Sequence, residues 1–150
     1  MIRDDIKAAL VTAMKGGDKA TTQTLRMVQS TIKNRDIEAR TGKAPEDDDL
    51  LITEVLQKMI KQRRESAEMY TAGNRPELAA TETAEIATLE TFLPRQLSED
   101  DAKAVIAAII ADTGASSMRD MGRVMAEVKA RHATSIEPAK ASALVKAMLA

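Results

Sequence analysis

Residues 48–72 run DDLLITEVLQKMIKQRRESAEMYTA. Ile52, Val55, Leu56, Met59 and Ile60 recur three and four residues apart, which places them on one side of an α-helix. No proline or glycine interrupts the stretch, so it predicts one long helix of about seven turns. The next residues, GNRP, are turn chemistry. Pro76 suits the first position of a further helix, where its missing N–H costs nothing. A second helical pattern then runs to Leu93 and stops before Pro94. Two long helices joined by so short a turn predict an antiparallel hairpin.

Working outward, the same punctuation recurs along the chain. Ile2 to Lys15 carries Ile6, Leu10 and Met14 and ends at Gly16-Gly17. Asp18 can cap a helix that turns Leu25, Val28 and Ile32 inward and ends near Arg40. TGKAPEDDD breaks the pattern, and its acids suit the positive end of the 48–72 helix. Beyond Pro94, Ser98 with Asp101 resembles a capping box and Gly114 ends the helix that follows. Ser117 with Asp120 opens a sixth helix. Ser135 opens the last, where Pro138 is tolerable in the first turn.

The seven predicted helices divide at LPRQLS into a long-helix N-terminal domain, 1–93, and a three-helix C-terminal domain, 94–150. Composition agrees with an all-α fold. There is one Phe, one Tyr and no Trp among 150 residues, while nine are Met. The aromatic and β-branched enrichment of sheets is missing.

Absent residues exclude several chemistries. No cysteine is present, which removes thiolate nucleophiles, disulfides and cysteine-ligated metals. The only histidine, His132, lies at a helix end without partners at metal or triad spacing. No phosphate loop and no G-x-S-x-G elbow occurs. The acidic run PEDDDLL lacks the ligand pattern of a calcium loop and reads as a solvated helix start. The expectation is no cofactor, no metal and no stand-alone catalytic residue. The N-terminus is charged throughout, and no run approaches the roughly 20 apolar residues of a membrane span. A cytoplasmic location is expected, with no membrane partner. The methionines suit core filling, or else an adaptable partner groove.

Two charges fall inside apolar stripes. On the helical wheel Arg63 lines up with Ile52 and Met59. In the next helix Glu82 lies between Leu78 and Ile86, and Glu85 borders that stripe. Across the hairpin Arg63 comes level with Glu82 or Glu85. A buried charge is costly unless paired, so an ion pair is expected there. It would fix the hairpin register, or else line a polar cleft completed by an outside partner.

The formal net charge is −1, so any nucleic-acid contact must come from local placement rather than bulk charge. One candidate stands out. In the sixth helix, which includes DMGRVMAEVKAR, Asp120 to Arg131, the apolar stripe is Met118, Met121, Val124, Met125 and Val128. Gly122 lies off it, among Arg119, Arg123, Ala126, Lys129 and Ala130. Glycine inside a helix costs roughly 1 kcal/mol against alanine, which close approach of another helix or of a phosphate backbone would offset. This small, basic face could take phosphates, the helix start adding free N–H groups, though Asp120 would oppose an anion there. Lys140 and Lys146 on the last helix are weaker candidates. With one Phe, one Tyr and no Trp, base stacking is not the expected device.

The stretches QRRESAEMYTAGNRPELA, LETFLPRQLSEDD and GASSMRDMGRVM resemble, in order and spacing, the GatB/YqeY family, and the resemblance covers nearly the whole chain. Such proteins are stand-alone relatives of the C-terminal tail of the B subunit of aspartyl/glutamyl-tRNA amidotransferase. The resemblance implies a long-helix domain followed by a small helical domain, with tRNA as candidate ligand and no DNA expected. It also implies a link to glutamine-dependent carbon–nitrogen ligase chemistry whose catalytic parts reside in other chains. A second possibility is an adaptor docking on an aminoacyl-tRNA synthetase or an amidotransferase subunit without binding RNA.

Overall fold

The computed structural model describes residues 1–150 and contains seven α-helices and no strand. They are α1 (Ile2–Lys15), α2 (Lys19–Ala39), α3 (Asp48–Ala72), α4 (Pro76–Glu90), α5 (Glu99–Thr113), α6 (Met121–His132) and α7 (Pro138–Leu149). A 3-10 turn, Met118–Asp120, precedes α6. The chain forms two compact units, Met1–Leu93 and Pro94–Ala150.

Local chemistry sets the ends. The Asp18 side chain accepts from the Thr21 N–H at 3.0 Å, and that of Ser98 from the Asp101 N–H at 3.1 Å. Gly114 ends α5 in the left-handed region at φ 68°, which an L side chain adopts only with strain. The α3–α4 turn closes through Asn74 at φ 58° and a 2.7 Å bond from the Arg75 N–H to the Tyr70 carbonyl. Asparagine tolerates that conformation better than most residues. Helix α4 ends at Glu90 rather than Leu93. The N–H groups of Thr91, Phe92 and Leu93 reach back only three residues, the tightening usual at helix termini.

The core of the first unit joins Ile2 and Ile6 of α1, Leu25, Val28 and Ile32 of α2, six apolar residues of α3, and Leu89 of α4. The inward stripe of α1 differs from the expected one. Ile2, Ile6 and Ala13 are buried, whereas Met14 is half exposed. At about 100° per residue, Ile2, Ile6 and Ala13 fall within about 40° of one another, and Met14 lies about 120° from Ile2.

The acidic run is not idle. Asp47 caps α3, its carboxylate accepting from the Asp49 and Leu50 N–H groups. Asp49 accepts from the Ile2 N–H at 3.0 Å. Asp48 joins a three-helix knot with Arg3 and Asp36. Arg3 donates two bonds to Asp36 at 2.9 Å each and two to Asp48 at 2.8 and 3.1 Å. The hydrogen-bonded guanidinium holds both carboxyls below the usual carboxylate range.

A carboxylate whose pKa is lower folded than unfolded adds stability above its unfolded value of about 3.9, and this is lost as pH falls through the folded value. The expected result is a denaturation midpoint that falls more steeply below about pH 4 in the native chain than in Asp36→Asn/Asp48→Asn. Acid titration of the urea midpoint checks this, and parallel curves for the two proteins would contradict it.

In the second unit Ala102, Ile106 and Ile109 of α5 meet Val124 and Val128 of α6, Ile136, and Ala141, Val145 and Leu149 of α7. The segment before α5 is tied to the α6–α7 connection. The Leu97 N–H donates to the Ser135 carbonyl at 2.9 Å, and Gln96 donates to the Thr134 carbonyl at 2.7 Å.

Candidate nucleic-acid interface

Helix α6 buries Val124 and Val128 and half-buries Met121 and Met125. Apolar spacing alone thus fixes which way the opposite face points. Gly122, Arg123, Ala126, Lys129 and Ala130 are all exposed on that opposite side. A Cβ added at Gly122 would meet no atom within 4 Å. Close packing of a neighbouring helix is therefore not the reason for this glycine. It opens the backbone to solvent.

The start of the segment departs from the α-helical wheel. Met118, expected in the core, is 41% exposed, because residues 118–120 form the 3-10 turn. Such a turn advances about 120° per residue instead of 100°, which rotates Met118 and Arg119 away from the positions an α-helix would give them. Arg119 is exposed, ahead of α6 rather than on it.

Some of the donors at this start are occupied. The Asp120 carboxylate accepts from the N–H groups of Ser116 at 2.9 Å and Ser117 at 3.3 Å. Chiefly the Ser116 bond holds this carboxyl below its usual range, with Ser117 and the charge of Arg123 assisting. The Asp120 N–H itself donates to the Ser117 carbonyl, and the Met121 N–H to that of Met118. The ionised Asp120 carboxylate at this end opposes an anion there, whereas the side-chain cations attract one.

Those cations are not equivalent. Arg123 donates to Asp120 at 3.1 Å, and Lys140 lies 4.0 Å from Glu137. Arg131 is shared between Asp112 at 3.4 Å and Glu127 at 3.1 Å. Arg119, Lys129 and Lys146 are exposed and make no ion pair. Lys140 and Lys146 are both exposed on α7. Six residues apart, they lie about 120° from each other around the axis and share no stripe. The strip with both accessible backbone and uncommitted charge is Gly122–Ala126–Ala130, with Lys129 beside it and Arg119 before it.

The first unit holds the other expected feature. Arg63 is buried, with 8% exposure. Its Nε donates to Glu85 Oε2 at 2.9 Å, its Nη1 to the Met59 carbonyl at 3.3 Å and its Nη2 to Met27 Sδ at 2.7 Å. Glu82, the alternative partner on the wheel, is half-buried and takes no part. All three Arg63 bonds are internal to α2, α3 and α4, so three of the guanidinium's five N–H donors are spent within the hairpin and on α2. No group of three or more acidic or histidine side chains is arranged to hold a metal. His132 ends α6, its Nδ1 lying 3.5 Å from the Ser135 hydroxyl.

Comparison with known proteins adds an independent line. The family model described as Yqey-like protein matches residues 3–149. Altered inheritance of mitochondria protein 41, mitochondrial, of Vanderwaltozyma polyspora is 34% identical over 88 residues, covering 59% of this chain and 46% of that protein. Uncharacterized protein C22F3.15 of Schizosaccharomyces pombe is 33% identical over 93 residues, covering 62% of this chain and 72% of that protein. The match therefore spans about half the length of the first relative. No helix of the chain is long and apolar enough to cross a membrane.

Proposed function

The chain belongs to the Yqey-like family, and on that premise we propose that it is a helical module that holds tRNA by its phosphates. The contact surface is the α6 strip, and the reacting groups of any amidation or charging step belong to a partner synthetase or amidotransferase subunit. The observation that carries this reading is the open face at Gly122. Small residues leave the backbone accessible there, and the uncommitted Arg119 and Lys129 flank it. Phosphate contacts position a nucleic acid without reading its sequence, so different tRNAs should bind alike.

The test is binding of fluorescently labelled total tRNA across a salt series. Arg119→Glu/Lys129→Glu should lower affinity at least about tenfold at about 50 mM salt and reduce the log–log salt slope by about 2. Gly122→Ala should keep or raise the thermal midpoint, since the added methyl meets open space and alanine favours the helix by about 0.5–1 kcal/mol. The same methyl should weaken tRNA binding several-fold. No tRNA binding at low salt, with salt-tolerant capture of a purified synthetase or amidotransferase subunit, would replace this reading with the adaptor one.

A further inference from the structure

The first unit carries a second basic surface. Between α1 and α2 lies a groove of about 500 Å³. Its floor includes the buried Ile6 and Ile32, and its walls present Lys7, Arg26, Gln29, Ser30 and Lys33. Arg26, Ser30 and Lys33 follow the i, i+4, i+7 spacing that keeps residues on one helix face. Arg26 and Lys33 are separated by about 10 Å along the axis, at about 1.5 Å per residue.

Lys7, Arg26 and Lys33 are exposed and form no ion pair. The groove's only acid, Asp36, is already bonded through both oxygens to Arg3. The knot of Arg3 with Asp36 and Asp48 braces α1 against α2 and α3 at one end of the groove, so the walls are held before any ligand arrives. Ser30 and Gln29 add neutral donors between the cations.

The geometry points to this groove as a second phosphate-contact surface, taking the backbone of an RNA strand across Lys7, Arg26 and Lys33. The inference rests on the RNA-binding reading above and extends it to the long-helix unit. The groove is open, its cations are exposed, and no buried polar side chain lines it. That suits an extended polyanion better than an enclosed small molecule.

The deciding experiment measures total-tRNA affinity against salt for four full-length proteins. They are the native chain, Lys7→Glu/Arg26→Glu/Lys33→Glu, its charge-neutral counterpart Lys7→Gln/Arg26→Gln/Lys33→Gln, and Arg119→Glu/Lys129→Glu. Circular dichroism verifies that each retains its helices, and the Gln triple answers the question should the Glu triple misfold. The expected result is a tenfold or greater loss for the Glu triple, and a salt slope shallower by about 2–3 in the Gln triple. Native-like binding by both triples, with loss confined to the Arg119/Lys129 variant, would overturn the groove and leave the α6 reading intact. Loss in the triples alone would sustain the groove and remove α6. Absence of tRNA binding by the native chain would remove both. Binding of the native chain to phosphatidylserine vesicles instead, abolished in the Gln triple, would make the groove a lipid-headgroup surface and overturn the RNA assignment.

Discussion

Ile106→Ala should unfold a large fraction of the Pro94–Ala150 unit at room temperature. Ile106 is fully buried at the centre of the three-helix core, in one cluster with Val124, Val128 and Val145. Truncating such a side chain costs about 3 kcal/mol, from the lost transfer free energy and the cavity left behind. A core of this size supplies only about 3–5 kcal/mol of net stability, so the single loss consumes most of it. Hydrogen exchange should show deprotection of amides throughout α5, α6 and α7 together, while those of α1–α4 keep their rates. Deprotection confined to the turn of α5 around Ile106 would contradict this. The variant should also lose the α6 contribution to tRNA binding without altering any side chain on the exposed strip.

The second large effect concerns Glu85. Removing its carboxylate in Glu85→Ala leaves the Arg63 guanidinium buried with only a carbonyl and a thioether as partners. Breaking a buried pair by deleting one partner costs about 3–5 kcal/mol. The Glu85 side chain is 26% exposed, so water can reach part of the vacated space and the lower end, about 3 kcal/mol, is expected. The informative comparison is the double variant Arg63→Met/Glu85→Leu. With both charges gone, no buried ion remains to be solvated, and the fold should lie within about 1 kcal/mol of the native chain. Urea denaturation of the single and double variants checks this directly. A double variant as unstable as Glu85→Ala would mean that other contacts of Arg63, such as that to the Met27 sulfur on α2, matter more than the ion pair.

These two sites differ in how visible they are in the sequence. Arg63 inside an apolar stripe is a local anomaly, and the short Gly73–Pro76 turn fixes the register that brings α4 alongside. The pairing with Glu85 rather than Glu82 depends on the rotation of α4 about its axis, which no pattern within α4 specifies. The α6 strip was legible for the same reason as Arg63, since Val124 and Val128 define the inward direction and the remaining residues follow. Its first turn was not. Whether residues 118–120 wind as α or 3-10 turns on Asp120 accepting the Ser116 and Ser117 N–H groups, a competition between two hydrogen-bonding patterns of similar strength. That choice exposes Met118 and shifts Arg119.

The basic groove and the Arg3 knot were invisible for a deeper reason. Lys7 and Lys33 are 26 positions apart, and Arg3 reaches Asp36 and Asp48 across 33 and 45. Nothing in a local window distinguishes a lysine facing a groove from one facing open water. Only the approach of α1 to α2 creates the surface and commits Asp36 to Arg3.

The sequence by itself determined the helices, the residues that begin and end them, and most of the inward faces. Those features arise from hydrogen bonds and side-chain spacing within a few residues, whose energies each segment carries alone. The tertiary structure decided which charges pair and which stay free, and whether Gly122 faces a neighbour or solvent. Those outcomes depend on groups brought together from distant positions, and the attraction of a charge pair exists only at the separation and burial that packing imposes.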